Sequence, residues 1–213
     1  MKFRNRIDAG NLLAERLAEN RYTSAIVIGI PRGGIILADI VANKLGAEFD
    51  IVIPRKLGAP GNEELAIGAV MEDGTSYINH YIVNALQIPQ RYIESEKARQ
   101  AAEIRRRATE YRKPALSYNI SGKNVILIDD GIATGATVIA SARWARKAQP
   151  SSLTIGVPVA PSQSVEVLKQ EADSVIVLHM PQDFGSVGQF YEQFEPVSDS
   201  QVTQIMRSRG LLL

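Results

Sequence analysis

The apolar positions of the chain alternate between two periods. From Asp8 to Asn20, Leu12, Leu13, Leu17 and Ala18 fall near one face at helical spacing, and Asp8 is placed to cap the amino end, so an amphipathic helix is predicted over 8–20. The run Ser24-Ala-Ile-Val-Ile-Gly-Ile30 is continuous instead. It is too short for a helix and too apolar for a half-exposed strand, which predicts a strand buried on both faces. A helix is predicted at about Gly34–Leu45, with Gly46 as its stop. Phe49–Ile53 and Asn124–Ile128 repeat the buried-strand pattern, the second leading into a helix at Ala136–Lys147. Leu153–Val159 and Ser174–Leu178 add two strands around a helix at 162–171. Strands alternating with helices predict an α/β domain: a mainly parallel central sheet with flanking helices.

The alternation breaks between residues 54 and 78. Gly58, Pro60, Gly61 and Asn62 predict a loop, and short runs at 66–71 and 75–78 flank Asp73-Gly74, a hairpin signal. A small antiparallel excursion is therefore expected. No internal repeat of about 20 to 50 residues and no low-complexity tract divides the chain, so residues 1–213 read as a single domain.

Composition removes several chemistries. At 213 residues and 45% hydrophobic content a substantial core can form. There is no cysteine, which excludes disulfides, thiolate metal sites and a cysteine nucleophile, and fits a reducing cytoplasm as the expected location. Met1–Asp8 lacks the apolar stretch of a signal peptide, and no window approaches the ~18 apolar residues of a membrane span. The net charge of +1 exerts no general pull on nucleic acid, and no such partner is expected. Residues 91–113 do carry eight Lys/Arg against four Glu. With Glu103 and Arg107 at i,i+4, this stretch reads as a solvated helix face or subunit contact in preference to a nucleic-acid surface built on Arg105-Arg-Arg107. His80 and His179 have no acidic residue at a metal-ligand spacing, so no zinc site is expected; His179, after a strand, reads as a neutral hydrogen-bonded histidine. Trp144 reads as a packing residue.

In open α/β sheets ligands bind beyond the carboxyl ends of the strands. Three such segments carry candidate chemistry. In Asp129-Asp130-Gly-Ile-Ala-Thr-Gly-Ala-Thr137, Gly131 and Gly135 permit tight turns, and Thr134 and Thr137 place hydroxyls beside the free N–H groups of a helix start. That combination is a phosphate cradle. Two adjacent carboxylates at a strand end repel unless partnered, and sugar hydroxyls, with a metal nearby, are suitable partners. The second segment, Gly29-Ile-Pro-Arg-Gly-Gly34, matches neither the dinucleotide nor the P-loop pattern, but Arg32 beside Gly33 and Gly34 at a helix start suits an anion such as pyrophosphate. The third, Pro54–Glu64, is a polar glycine-containing stretch with Arg55, Lys56 and Glu63 as candidates.

The run Val125-Ile-Leu-Ile-Asp-Asp-Gly-Ile-Ala-Thr-Gly-Ala-Thr137 resembles the fingerprint of the type I phosphoribosyltransferases: apolar strand, acidic pair, three variable positions, then Thr-Gly-x-Thr. The segments Phe3–Gly10 and Pro181–Tyr191 extend that likeness to a little-characterised branch of the family. The resemblance implies the type I phosphoribosyltransferase fold, with a hood from the amino-terminal residues and about 180–213. It implies 5-phosphoribosyl 1-pyrophosphate as donor, with Asp129 and Asp130 on the ribose hydroxyls and Gly131, Ile132, Ala133, Thr134, Gly135, Ala136 and Thr137 around the 5-phosphate. Arg32, Gly33 and Gly34 would take pyrophosphate in a short loop that often holds a cis peptide, and Lys56 would act from a mobile loop closing over the reacting centre. Mg2+ would travel mainly on the donor's oxygens, with no protein metal cage, and a homodimer is common in the family. The acceptor stays open: a nitrogen compound, with a nucleobase among the candidates. Phe184, Phe190 and Tyr191 read either as an apolar hood over a planar base or as core, and Val177-Leu-His-Met-Pro181 does not match the element by which family members read a 6-oxopurine. The same donor motif would serve a non-catalytic sensor that regulates a partner, or a hydrolase.

Overall fold

The computed structural model describes residues 1–112 and 119–212, apart from the side chain of Glu64. The last basic residue of the 91–113 stretch, Lys113, lies outside that set. The chain opens with helix α1 (Arg6–Ala18), followed by β1 (Ala25–Gly29), α2 (Gly34–Leu45) and β2 (Glu48–Ile51). Next come β3 (Arg55–Ala59), β4 (Asn62–Val70), β5 (Ser76–Ile78), α3 (His80–Ala85) and α4 (Gln90–Tyr111). The second half alternates: β6 (Asn124–Ile128), α5 (Ala136–Lys147), β7 (Ser152–Val159), α6 (Ser162–Leu168), β8 (Ser174–His179) and α7 (Asp199–Ser208).

Five strands form a parallel sheet in the order β2-β1-β6-β7-β8, and β3-β4-β5 form a separate antiparallel sheet. The continuous apolar runs are needed because the central strands are covered on both faces. Val27, Ile126 and Ile128 lie in a core with Leu13, Leu17, Ile35 and Val41 of α1 and α2. Their neighbours Ile26, Val125 and Leu127 point the other way, into a core with Val138, Ile139 and Ala142 of α5. Beyond the carboxyl end of α4, Arg112 donates to both carboxylate oxygens of Asp50 on β2, each at 2.8 Å, and both residues are buried. No helix among the described residues is long and apolar enough to cross a membrane.

Two expectations are corrected. Asn5, not Asp8, caps α1: its side chain accepts from the N–H groups of Ile7 and Asp8, each at 3.0 Å, while Asp8 sits in the first turn and accepts from the Arg4 N–H. The stretch 54–64 is a hairpin, not a long polar loop. Leu57 and Ala59 are buried on β3, and the Gly and Pro signals mark only the tight turn and a register shift around Gly58. The predicted solvated helix at 91–113 is also anchored along one side, where Ile93, Glu96, Gln100 and Ile104 are buried. Its outer face has the expected ion pairs, including Arg107–Glu103 at 3.0 Å.

Candidate active site

The carboxyl ends of β1 and β6 lie side by side, with Gly29 opposite Ile128, so the segments that follow them must meet. They form a cleft of about 280 Å³. Arg32 and Gly33 come from the loop after β1, Lys56 from β3, and Asp129, Asp130, Gly131, Ile132, Ala133, Thr134, Gly135 and Thr137 from the loop after β6. Ile30, Pro31, Pro54, Val138 and Val187 complete the walls. Of the predicted site residues, Gly34 and Ala136 do not line the cleft. Both are buried behind it, Gly34 against the backbone of Ile128 and Asp129. The peptide joining Pro31 and Arg32 is cis.

The 131–137 loop is held from outside the cleft. Ile132 is buried and its N–H donates to the Val159 carbonyl at 2.9 Å; the Ala133 carbonyl accepts from the Ser164 hydroxyl at 2.6 Å. Gly135 occupies the left-handed region at φ 77° as the residue that starts α5. Gly135→Ala is expected to cost about 1–2 kcal/mol, seen as a lower urea midpoint at unchanged slope. The turn leaves the first N–H groups of α5, beside Thr134 and Thr137, at the edge of the cleft.

The acidic pair is held unequally. Burial, then the neighbouring Asp130 charge, pushes Asp129 well above the usual carboxylate range, with Lys56 opposing the shift. Burial also raises Asp130, but there the Arg6 guanidinium opposes it, through Nε at 2.8 Å from Oδ2. Tyr191 donates its hydroxyl to the Asp130 carbonyl at 2.6 Å. A Cβ on Gly33 would fall 1.8 Å from Asp130 Oδ2, so the loop after β1 approaches the acid as only glycine allows. Arg32 is more loosely held, 44% exposed and 3.7 Å from Asp199.

Arg55 and Glu63 do not reach this cleft. They line an adjoining one of about 310 Å³ with Glu96, Arg99 and Gln100, separated at a rim that includes Lys56 and Thr137. The aromatics of the carboxyl-terminal segment pack on one another: Phe184 on Phe190 at 5.3 Å, and Tyr191 between Phe3 at 5.4 Å and Phe194 at 4.8 Å. Among the described residues of that segment, only Val187 lines the cleft. His179 also lies outside it, with Nε2 3.3 Å from the amino terminus of Met1; burial, then that terminal charge, lowers its pKa. Sequence reasoning missed Arg6, whose one signal was its place in the Phe3–Gly10 segment.

The phosphoribosyl transferase domain family matches residues 3–195, which include every segment of the cleft. The chain belongs to this family. The Mycobacterium tuberculosis protein named "Putative phosphoribosyl transferase" is 36% identical over 204 residues, covering 96% of this chain and 46% of its own length. The chain thus spans about half the length of the curated relatives it matches. A crystal structure from Thermus thermophilus is 42% identical with a TM-score of 0.82, covering 100% of both chains. A purine phosphoribosyltransferase from Pyrococcus horikoshii shares the fold, at 16% identity and a TM-score of 0.50 over 90% of this chain and 92% of that one.

Proposed function

We propose that this phosphoribosyl transferase moves the 5-phosphoribosyl group of 5-phosphoribosyl 1-pyrophosphate to a nitrogen acceptor, releasing pyrophosphate. The observation that carries the reading is the convergence, in one cleft, of an acidic pair, a helix-start phosphate loop and two cations, Arg32 and Lys56. The loop 131–137 takes the 5-phosphate through N–H groups and the hydroxyls of Thr134 and Thr137. Asp129 and Asp130 accept from the ribose hydroxyls. Their negative charge favours the cation-like sugar that forms as the C1–O bond to pyrophosphate breaks, while Arg32, the Gly33 backbone and Lys56 receive the departing charge. The acceptor nitrogen then forms the new bond to C1 and gives up its proton.

The residues present fit a magnesium ion carried by the donor. Two adjacent carboxylates at the cleft floor can supplement phosphate oxygens, which is how Mg2+ is commonly held at phosphate sites. When bound, the ion would neutralise pyrophosphate charge.

The test is pyrophosphate release from the donor and Mg2+ across a panel of nitrogenous bases. Acceptor-dependent release supports transfer. Release without any acceptor at a comparable rate would identify a hydrolase. Binding of nucleic acid or a partner that the donor relieves, with no release, would identify a sensor.

A further inference from the structure

Arg32, the cation of the loop after β1, lines the donor cleft, yet its guanidinium makes no hydrogen bond among the described residues. Its one ion pair there is with Asp199, 3.7 Å from Nη1 to Oδ1, and Asp199 lines neither that cleft nor the adjoining one. The guanidinium thus leans toward a charge outside the site. Asp199 is itself held from two sides. It stands in the first turn of α7, where the Ser198 hydroxyl accepts from the Gln201 N–H at 3.3 Å and where Val202 and Met206 are buried in the core. Arg209, just past the helix, ties it to α2 by donating to the Asp39 carboxylate at 2.7 Å and the Asp39 carbonyl at 2.8 Å. From the other side Tyr111, buried at the end of α4, donates its hydroxyl to Oδ1 of Asp199, the same oxygen that faces Arg32. Burial, then that bond, pushes Tyr111 up to about 12, so it stays a donor across the neutral range. The carboxylate therefore offers Arg32 attraction without a hydrogen bond, and the guanidinium keeps its N–H groups for another acceptor.

We propose that Asp199 is a competing counter-ion for Arg32, fixed by Tyr111, that weakens the grip of the cleft on the pyrophosphate group. This rests on the assignment of Arg32 to pyrophosphate above. An anion that reaches Arg32 has to draw the guanidinium from Asp199 and meets a second negative charge close by. An anion that leaves is replaced by the same carboxylate. The contact is exposed, 44% at Arg32 and 60% at Asp199, so its effect is modest, as suits a product that must depart in every cycle. Asp199 stands beyond residues 3–195, so the part of the chain that carries the family likeness does not include it. Arg106 of α4 also feels the Asp199 charge, but it is paired with Glu103 at 2.9 Å and lines neither cleft. Arg32 is the cation through which Asp199 can act on an anion in the cleft.

The experiment is calorimetric titration of the full chain with inorganic pyrophosphate and Mg2+ at low and high salt, about 20 mM and about 500 mM. The proteins are wild type, Asp199→Asn, Asp199→Glu, Arg32→Gln and the double variant of Asp199→Asn with Arg32→Gln. Asparagine keeps an acceptor for Tyr111 and removes only the charge. Asp199→Asn is expected to bind about three- to fivefold more tightly at low salt, the upper worth of an exposed ion pair, with a smaller gain at high salt. Asp199→Glu keeps the charge and should stay near the wild type. In the Arg32→Gln background the asparagine should change affinity by less than about twofold, and where Arg32→Gln no longer binds it should not restore binding. Tighter binding is an outcome that loss of structure does not produce. The proposal is overturned if Asp199→Asn binds no more tightly than the wild type, if Asp199→Glu gains as much, or if the gain persists without Arg32. Wild type and Asp199→Asn that bind the magnesium salt of the donor but not pyrophosphate would also overturn it and leave the donor assignment standing. Binding of neither by the wild type would overturn the donor assignment itself.

Discussion

Asp129→Asn is expected to fold at least as well as the native protein yet bind the donor about 10- to 100-fold more weakly, the worth of hydrogen bonds to a charged acceptor. The two halves of this outcome share one cause. Burial and the adjacent Asp130 charge hold the Asp129 carboxyl well above its ordinary range, so its ionisation opposes folding. The sign follows from linkage: an acid whose pKa is higher folded than unfolded contributes stability that is full below the unfolded value and is lost as pH rises through the folded one. Asparagine cannot ionise, so the variant should melt above the wild type at alkaline pH and alongside it in acid. A donor carrying Mg2+ favours the ionised form, so wild-type binding should release a proton and Asp129→Asn binding should release less, measured by calorimetry in buffers of different ionisation enthalpy. Equal proton release in both proteins would remove Asp129 from the donor site. Asp130→Asn, by contrast, should lose both binding and stability. The motif alone suggests a variant that folds normally, but the ion pair with Arg6 means that asparagine would strand a guanidinium that is 11% exposed.

The second large effect lies far from the chemistry. Asp50→Ala is expected to destabilise the fold by about 3–5 kcal/mol, the usual cost of removing one partner of a buried ion pair. The pair is bidentate, with Arg112 Nε and Nη2 each 2.8 Å from a different oxygen of Asp50. It fastens the end of α4 to the edge strand β2, and in its absence a cation would be buried without its carboxylate. Thermal or urea unfolding of the folded variant reads the loss. A change below about 1 kcal/mol would mean that the guanidinium finds water or another acceptor, as surface pairs do.

The parts of the fold and site visible in the sequence are those made from contiguous residues. Strand, acidic pair and glycine-containing loop lie together in residues 125–137, and the run Ser24–Ile30 announces a strand covered on both faces before any neighbour is known. Arg6 and Val187 were illegible as site residues, and Tyr191, legible only as hood or core, gave no sign of its bond to the Asp130 carbonyl, because these placements come from pairing the two ends of the chain. No local pattern encodes that. The hairpin at 55–70 was hidden by glycine and proline at its turn, where the same residues serve a tight reversal or a long loop. The cap of α1 was ambiguous because Asn5 and Asp8 both satisfy the chemistry of a cap, and only the backbone distinguishes them.

A cleft built for a phosphoribosyl pyrophosphate donor must bind it whatever the acceptor, and calorimetric titration of the donor's magnesium salt into the wild type and Gly33→Ala reads that binding alone. One donor per chain is expected for the wild type, with loss of binding in a still-folded Gly33→Ala, whose added methyl would meet Asp130 Oδ2 at 1.8 Å. Absence of binding to the wild type, or equal binding to both proteins, would contradict it.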